Sequence, residues 1–241
     1  MAARQPLSGM VADQIRDQIS NGQLLPGQKL NEREIMDRLG ITRTPLREAM
    51  SILLGEKLIE TSPSRGAIVT VLSDADIRAM LEVRGIFERR AGELAAARAS
   101  DDEIAALAAT CARMEELRRQ GDATGWWEMN RLFHSDIVAL SGNPVLVDYY
   151  ANTSLRMTVY NYFNRLGVTS SERWAASAAE HEQILDRLGR RDGPGLGALL
   201  EEHLMSSWLV ARQIVQTHGR EAELFSSRFR ELKTAQGAGE S

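Results

Sequence analysis

The sequence predicts a mainly α-helical chain: an N-terminal winged helix-turn-helix with a small β-hairpin wing, then a C-terminal antiparallel all-α bundle. Three observations carry this reading. Apolar residues at Ile35, Leu39, Ile41, Leu46, Met50 and Leu53 keep helical spacing and are interrupted once, at Gly40. Two short β-branched runs follow, on either side of Ser62-Pro63-Ser64-Arg65-Gly66. Beyond Ser73 the chain consists of long helical segments joined by short polar turns, which make antiparallel neighbours, and it contains no internal repeat.

The elements follow in order. Ser8 is a candidate cap for a first helix with Met10, Val11, Ile15 and Ile19 on one face, ending at Asn21-Gly22. Leu24-Leu25-Pro26-Gly27 turns the chain into the central stretch, where Gly40 separates two short helices. Thr42 or Thr44 caps the second of these, and Pro45 sits in its first turn, where a missing N–H costs nothing. Leu58-Ile59-Glu60-Thr61 and Ala67-Ile68-Val69-Thr70-Val71 form the hairpin. Residues 1–72 make one unit of a size within the single-domain range.

In the second unit, residues 73–233, Ser73-Asp74 caps a helix to about Arg98 and Asp101 caps the next to about Gln120. Further helices run from Trp126 to Ser141, from Val145 to Leu166 and from Glu172 to Arg190. After the turn Asp192-Gly193-Pro194-Gly195 come a helix from Leu196 to Thr217 and a short one from Glu221 to Leu232. Residues 234–241 read as a disordered tail.

Composition narrows the function. The chain has no run of eighteen apolar residues and its first residues lack an apolar signal core, so the expectation is a cytoplasmic protein without a membrane partner. Its single cysteine, Cys111, excludes an internal disulfide and a cysteine-rich metal site. The net charge is −4, yet residues 1–72 carry 9 Lys and Arg against 8 Asp and Glu, so the acidity lies in the second unit. Binding phosphate requires a local basic face rather than a basic protein.

The helix-turn-helix points to double-stranded DNA. Leu46, Met50 and Leu53 face inward on its second helix, while Arg43, Thr44 and Arg47 open that helix on the outward side. A recognition helix reads the major groove with its first residues, and an arginine there can make bidentate bonds to guanine. On the wing, Arg65 supplies a cation beside Gly66, which lets backbone approach phosphate closely. One recognition helix reads few base pairs, so a homodimer on a palindromic operator is expected.

Four histidines are present: His134, His181, His203 and His218. Asn130 and His134 share a helix face. His181 and His203 lie on the order of 15 Å and 12 Å along their helices from the same turn, so an antiparallel hairpin holds them at nearly one height. Three imidazoles can thus converge inside the bundle, a set that suits a divalent metal such as Zn²⁺, Ni²⁺ or Fe²⁺. His218, at a helix end before Gly219, has a structural role as a cation on the helix dipole.

The motif Pro26-Gly27-x-x-Leu30-x-Glu32, the run from Leu39 through Thr42-Arg43-Thr44-Pro45-Leu46-Arg47-Glu48-Ala49, and Gly66-Ala67-x-Val69 resemble the GntR family of bacterial transcription regulators. The second half is similar to the FadR-type ligand-binding domain, FCD, through Glu82-x-Arg84-x-x-x-Glu88, Phe133-His134 with Ser141-Gly142-Asn143-Pro144, Glu180-His181 and His203. The resemblance implies that Arg33, Arg43, Thr44, Arg47, Arg65 and Gly66 contact DNA. It also implies that Asn130, His134, His181 and His203 hold a metal, with Asn130 standing where the family more often has Asp. Arg84 resembles the family's effector-facing arginine, which pairs with a small carboxylate; the local alternative is a surface salt bridge with Glu88.

The resulting expectation is an effector-responsive regulator, in the form of a repressor, and not an enzyme. Two alternatives remain beside it: a DNA-binding protein whose bundle is only a dimerisation scaffold, and a metal-dependent hydrolase using the three histidines. Against the hydrolase, there is no His-Glu-x-x-His, and Glu180 is expected to point elsewhere on its helix.

Overall fold

The computed structural model describes residues 5–62, 66–157 and 171–206. It begins with three helices, α1 (Leu7–Ser20), α2 (Glu32–Leu39) and α3 (Arg43–Gly55), followed by strands β1 (Ile59–Ser62) and β2 (Gly66–Val69). Helices α4 (Asp74–Arg98), α5 (Asp101–Gln120), α6 (Ala123–Leu140), α7 (Pro144–Arg156) and α8 (Ser171–Gly189) come next. A further helix, α9, covers residues 193–206. The helix-turn-helix, its hairpin wing and the helical bundle are all present. The expected helical residues 158–166, 207–217 and 221–232, the tail 234–241, Arg65 and His218 lie outside the described residues.

Gly40 ends α2 because only a left-handed backbone turns the chain there (φ 62°), and its N–H returns to the Met36 carbonyl. Asn31 caps the start of α2 by accepting from the Glu34 N–H. At α3 Thr42 occupies the capping position without a side-chain cap bond, so packing holds this helix in place. Leu46, Ala49 and Leu53 are fully buried against Val11, Ile15 and Ile19 of α1, together with Ile35, Leu58 and Val69. Each large aliphatic side chain so buried stabilises by roughly 1.5–3 kcal/mol.

The wing pairs antiparallel, with Ile59 opposite Val69 and Ser62 opposite Gly66. The stretch read as a turn before α2 does more than turn. Gly27 N–H donates to Val69 O, Val69 N–H to Gln28 O and Leu30 N–H to Ala67 O, so residues 27–30 line the free edge of β2. That covers an edge that would otherwise expose unpaired backbone groups.

Several caps fall one or more residues from the expected ones. Pro6 precedes α1, while Ser8 lies inside the helix and is buried. Ser100, not Asp101, caps α5, in a reciprocal box with Glu103. Asp122 caps α6 by accepting from the Gly125 N–H, so the helix starts at Ala123, three residues before Trp126. Ser73 caps α4 as expected, in a box with Asp76.

The bundle core joins Ala95 and Ala96 of α4 to Leu107 and Met114 of α5, Phe133 and Ile137 of α6, Ile184 and Leu188 of α8, and Leu196 and Leu200 of α9. Helix α7 reaches the other core as well, because Leu155 packs against the buried cluster of the helix-turn-helix. Helices α4 and α9 approach through glycines: a Cβ on Gly197 would lie 2.8 Å from the Arg89 carbonyl oxygen. Backbone cannot yield as a flexible side chain can. Gly197→Ala should therefore destabilise the protein by about 1–3 kcal/mol, although alanine favours helices. Urea denaturation checks this, and an unchanged or raised midpoint would show that the seam tolerates a methyl group.

Candidate functional site

Three helices bring His134 (α6), His181 (α8) and His203 (α9) together. One ring nitrogen from each lies within 4.8 Å of the others. Exposures of 2%, 0% and 3% place all three imidazoles inside the bundle. The ring centroids of His181 and His203 are 4.8 Å apart, and those of His134 and His203 are 5.2 Å apart. The antiparallel α8–α9 hairpin thus sets His181 beside His203 as the helical rise implies. Asn130 is one turn before His134 on α6 and is half-buried.

Two carboxylates orient the cluster. His134 Nδ1 is 2.7 Å from Glu88 Oε2, and His203 Nδ1 is 2.5 Å from Glu180 Oε2. An ionised carboxylate only accepts, so each Nδ1 donates to its carboxylate, and the neutral His134 ring keeps a lone pair on Nε2. This is the tautomer a metal-binding imidazole needs. His181 differs, because both its ring nitrogens are buried without a hydrogen-bond partner among the described residues. Phe133 packs on its ring at 4.7 Å between centroids. Buried polar atoms are nearly always paired, so this imidazole has coordination capacity that the protein itself does not use among the described residues.

Burial depresses the basicity of His134 and His181, and for His181 the neighbouring imidazoles add to that effect. Both are neutral near pH 7, as ligation requires. Burial alone would raise the Glu88 carboxyl, but His134 and Arg84 outweigh it and hold it at about 2.

Arg84 is not the surface salt bridge that its spacing to Glu88 allows. It is 8% exposed, its Nε donates to Glu88 Oε1 at 2.6 Å, and its Nη2 donates to the Tyr150 hydroxyl at 2.8 Å. A chain of contacts therefore runs from Tyr150 on α7 through Arg84 and Glu88 on α4 to His134 on α6. Sequence reasoning missed Glu88 and Glu180 as partners of histidines. Glu180 does not point away: the hairpin register that aligns His181 with His203 also carries Glu180 to His203.

The three imidazoles offer donor atoms without negative charge. Glu88 and Glu180 place two carboxylates one hydrogen bond further out, and Arg84 offsets part of the first. The donor set of three imidazoles thus fits a divalent cation of the imidazole-preferring kind.

At the other end, Arg43, Thr44 and Arg47 are exposed at the start of α3. Neither the Arg43 nor the Arg47 guanidinium makes an ion pair or hydrogen bond among the described residues. Arg16, Arg78, Arg89, Arg113 and Arg118, in contrast, each pair with a carboxylate. Arg33 is almost fully exposed at the start of α2, 3.9 Å from Asp37. Gly66 opens β2 with φ 77° and open space around it. Among the described residues no helix is long and apolar enough to cross a membrane.

Comparison with known proteins agrees with both regions. Residues 7–69 match the bacterial regulatory proteins of the gntR family, and residues 79–206 match the FCD domain. The chain is 30% identical over 160 residues to the Nta operon transcriptional regulator of Aminobacter aminovorans, covering 66% of this chain and 71% of that protein. It is 27% identical over 219 residues to the HTH-type transcriptional repressor RspR of Escherichia coli K12, covering 88% and 92% respectively. The solved structure of E. coli McbR/YncC has the same fold, with a TM-score of 0.77 at 21% identity, covering 87% of this chain and 99% of that one. These relatives are regulators, which sets the hydrolase reading aside. The chain belongs to the GntR family of DNA-binding transcriptional regulators, with an FCD domain following its helix-turn-helix.

Proposed function

We propose that this regulator binds a palindromic operator as a cytoplasmic homodimer, and that its bundle holds a divalent metal together with a small organic acid that resets DNA binding. Residues 1–72 would be the DNA-binding domain, residues 73–233 the effector and dimerisation domain, and 234–241 a tail. The observation that carries the bundle's part is the orphaned imidazole of His181 between two carboxylate-oriented histidines. His134, His181 and His203 would hold the metal, with Asn130 completing the set. When bound, the cation supplies a Lewis-acidic centre that attracts a carboxylate. Arg84 is the effector-side cation: its Nη1 makes no hydrogen bond among the described residues, so it is available to an anion. Arg33, Arg43, Thr44, Arg47, Arg65 and Gly66 are the DNA contacts, the two unpaired recognition-helix arginines reading bases. Repression as the sign of regulation rests on the likeness to the repressor RspR.

An effector acts only through a difference in affinity between the DNA-competent and incompetent states. Asn130 bears directly on the metal, since a neutral amide in place of a carboxylate leaves one more positive charge at the site and favours an anionic co-ligand. The rival reading, a metal-free dimerisation scaffold, rests on the same residue.

Three outcomes are expected. Protein purified without a histidine tag should carry about one equivalent of Zn²⁺, Ni²⁺ or Fe²⁺ by elemental analysis, lost in His181→Ala, and small carboxylates should raise the melting temperature of the loaded form only. No metal in the wild type after loading would leave the scaffold.

In the metal-free chain, unfolded histidines take up protons below about pH 6.5 while buried His134 and His181 do not. Stability should therefore fall as pH drops from about 6.5, and fall further below about 4.3 as Glu88 departs from its unfolded value. Urea midpoints from pH 7 to 5 check this, and a flat profile would contradict neutral buried imidazoles.

Arg43→Ala should weaken binding to an operator selected from random duplexes by roughly 5- to 150-fold, with relaxed preference at one base and dimerisation intact. Unchanged preference at every base would remove Arg43 from the reading set.

A further inference from the structure

Helix α7 touches both halves of the molecule within one short stretch. The Tyr150 hydroxyl accepts from Arg84 Nη2 at 2.8 Å, and the guanidinium carbon lies 5.1 Å from the centre of the same ring. Five residues on, roughly 7.5 Å along the helix axis, Leu155 packs against the buried core of the helix-turn-helix. Among the described residues beyond Leu72, it is the one hydrophobic side chain that joins that core. Met157, just past the end of α7, packs instead with Ile77, Met80 and Leu81 of α4 and Leu204 of α9.

The bond at Tyr150 sets where α7 stands, because the other end of Arg84 is anchored. Glu88 is 0% exposed and accepts from Arg84 Nε at 2.6 Å. A buried carboxylate cannot give up its cation without becoming an unpaired charge. Of the two partners that Arg84 has among the described residues, Tyr150 is the one without charge. An incoming carboxylate offers an ionic attraction that a phenol lacks, so Tyr150 is the partner it displaces.

We propose that Tyr150 is the positioning residue through which Arg84 governs the helix-turn-helix. Bonded to Arg84 it seats α7, and seated α7 holds the helix-turn-helix through Leu155 in the pose that binds the operator. A carboxylate at Arg84 releases Tyr150, and α7 with it. The proposal rests on the reading of Arg84 as the effector-side cation and adds the element that carries its signal. It supplies the two states that effector control requires. It also sets the direction, since a unit already held in place has less freedom to lose on binding DNA.

The test uses the full chain without added ligand, and an operator selected from random duplexes. Tyr150→Phe keeps the buried ring and removes only the hydroxyl. It should weaken operator binding by roughly fivefold or more. Hydrogen exchange should speed up in α1 and α3 and stay unchanged in α5. Leu155→Ala should produce the same effects, and Tyr150→Phe should add nothing to them in the Leu155→Ala background. Val147→Ala is the control: Val147 packs in the same α7 cluster as Tyr150 and should leave operator binding unchanged. Full operator affinity in Tyr150→Phe overturns the proposal. So does an equal loss in the wild-type and Leu155→Ala backgrounds, which would place the effect outside the Leu155 contact. A Val147→Ala variant that matches Tyr150→Phe, or exchange that rises in α5 as well, reduces the effect to loosened packing and overturns it too. The effector reading fails separately, if no carboxylate raises the melting temperature of the metal-loaded protein.

Discussion

The carboxylate of Glu88, fully buried in the bundle, is the interaction on which the interior depends. A charge in that position is tolerable only if it is paired and hydrogen-bonded. Arg84 takes one oxygen and His134 the other, while Tyr150 takes a further donor of Arg84. Three side chains, from α4, α6 and α7, are thereby fixed by one anion. The arrangement also settles chemistry: with Nδ1 of His134 held by an acceptor, only Nε2 is left with a lone pair. Glu180 does the same for His203 on the other side of the cluster. Two carboxylates that touch no ligand themselves thus decide which atoms can serve as ligands.

Most of the architecture was legible in the sequence because local chemistry dictated it. Gly40 supplies the left-handed residue that a tight helix–helix turn needs, and Ser73 with Asp76 forms a reciprocal cap. The caps misread, Ser8 and Asp101, are residues that favour helix starts but lie inside one. The pairing of residues 27–30 with β2 was not legible, since an isolated bridge leaves no periodicity to read.

The histidine cluster was legible from two distances along a hairpin. Its glutamates were not, for different reasons. Glu88 has a sufficient local explanation in Arg84 four residues earlier, and nothing in the sequence indicates that its second oxygen crosses to α6. Glu180 sits next to His181, about 100° around the helix, so a wheel separates them; the neighbouring helix brings Glu180 back to the site through His203.

Helix α7 links the two parts of the molecule through ordinary packing. Tyr150 faces the buried ion pair, and Leu155, little more than a helical turn further on, packs against the core of the helix-turn-helix. The bundle interior and the DNA-binding unit therefore share one helix as well as a chain connection. Charge divides the same two parts in another way. In the bundle, Arg78, Arg89, Arg90, Arg113 and Arg118 are offset by carboxylates within one turn, and such exposed pairs contribute little to stability. They do, however, cancel the cations as ligands for phosphate. Arg43 and Arg47 have no such partner among the described residues, so their charge stays available to a polyanion although the chain as a whole is acidic. Net charge is a sum over the molecule, whereas DNA meets the field of one face.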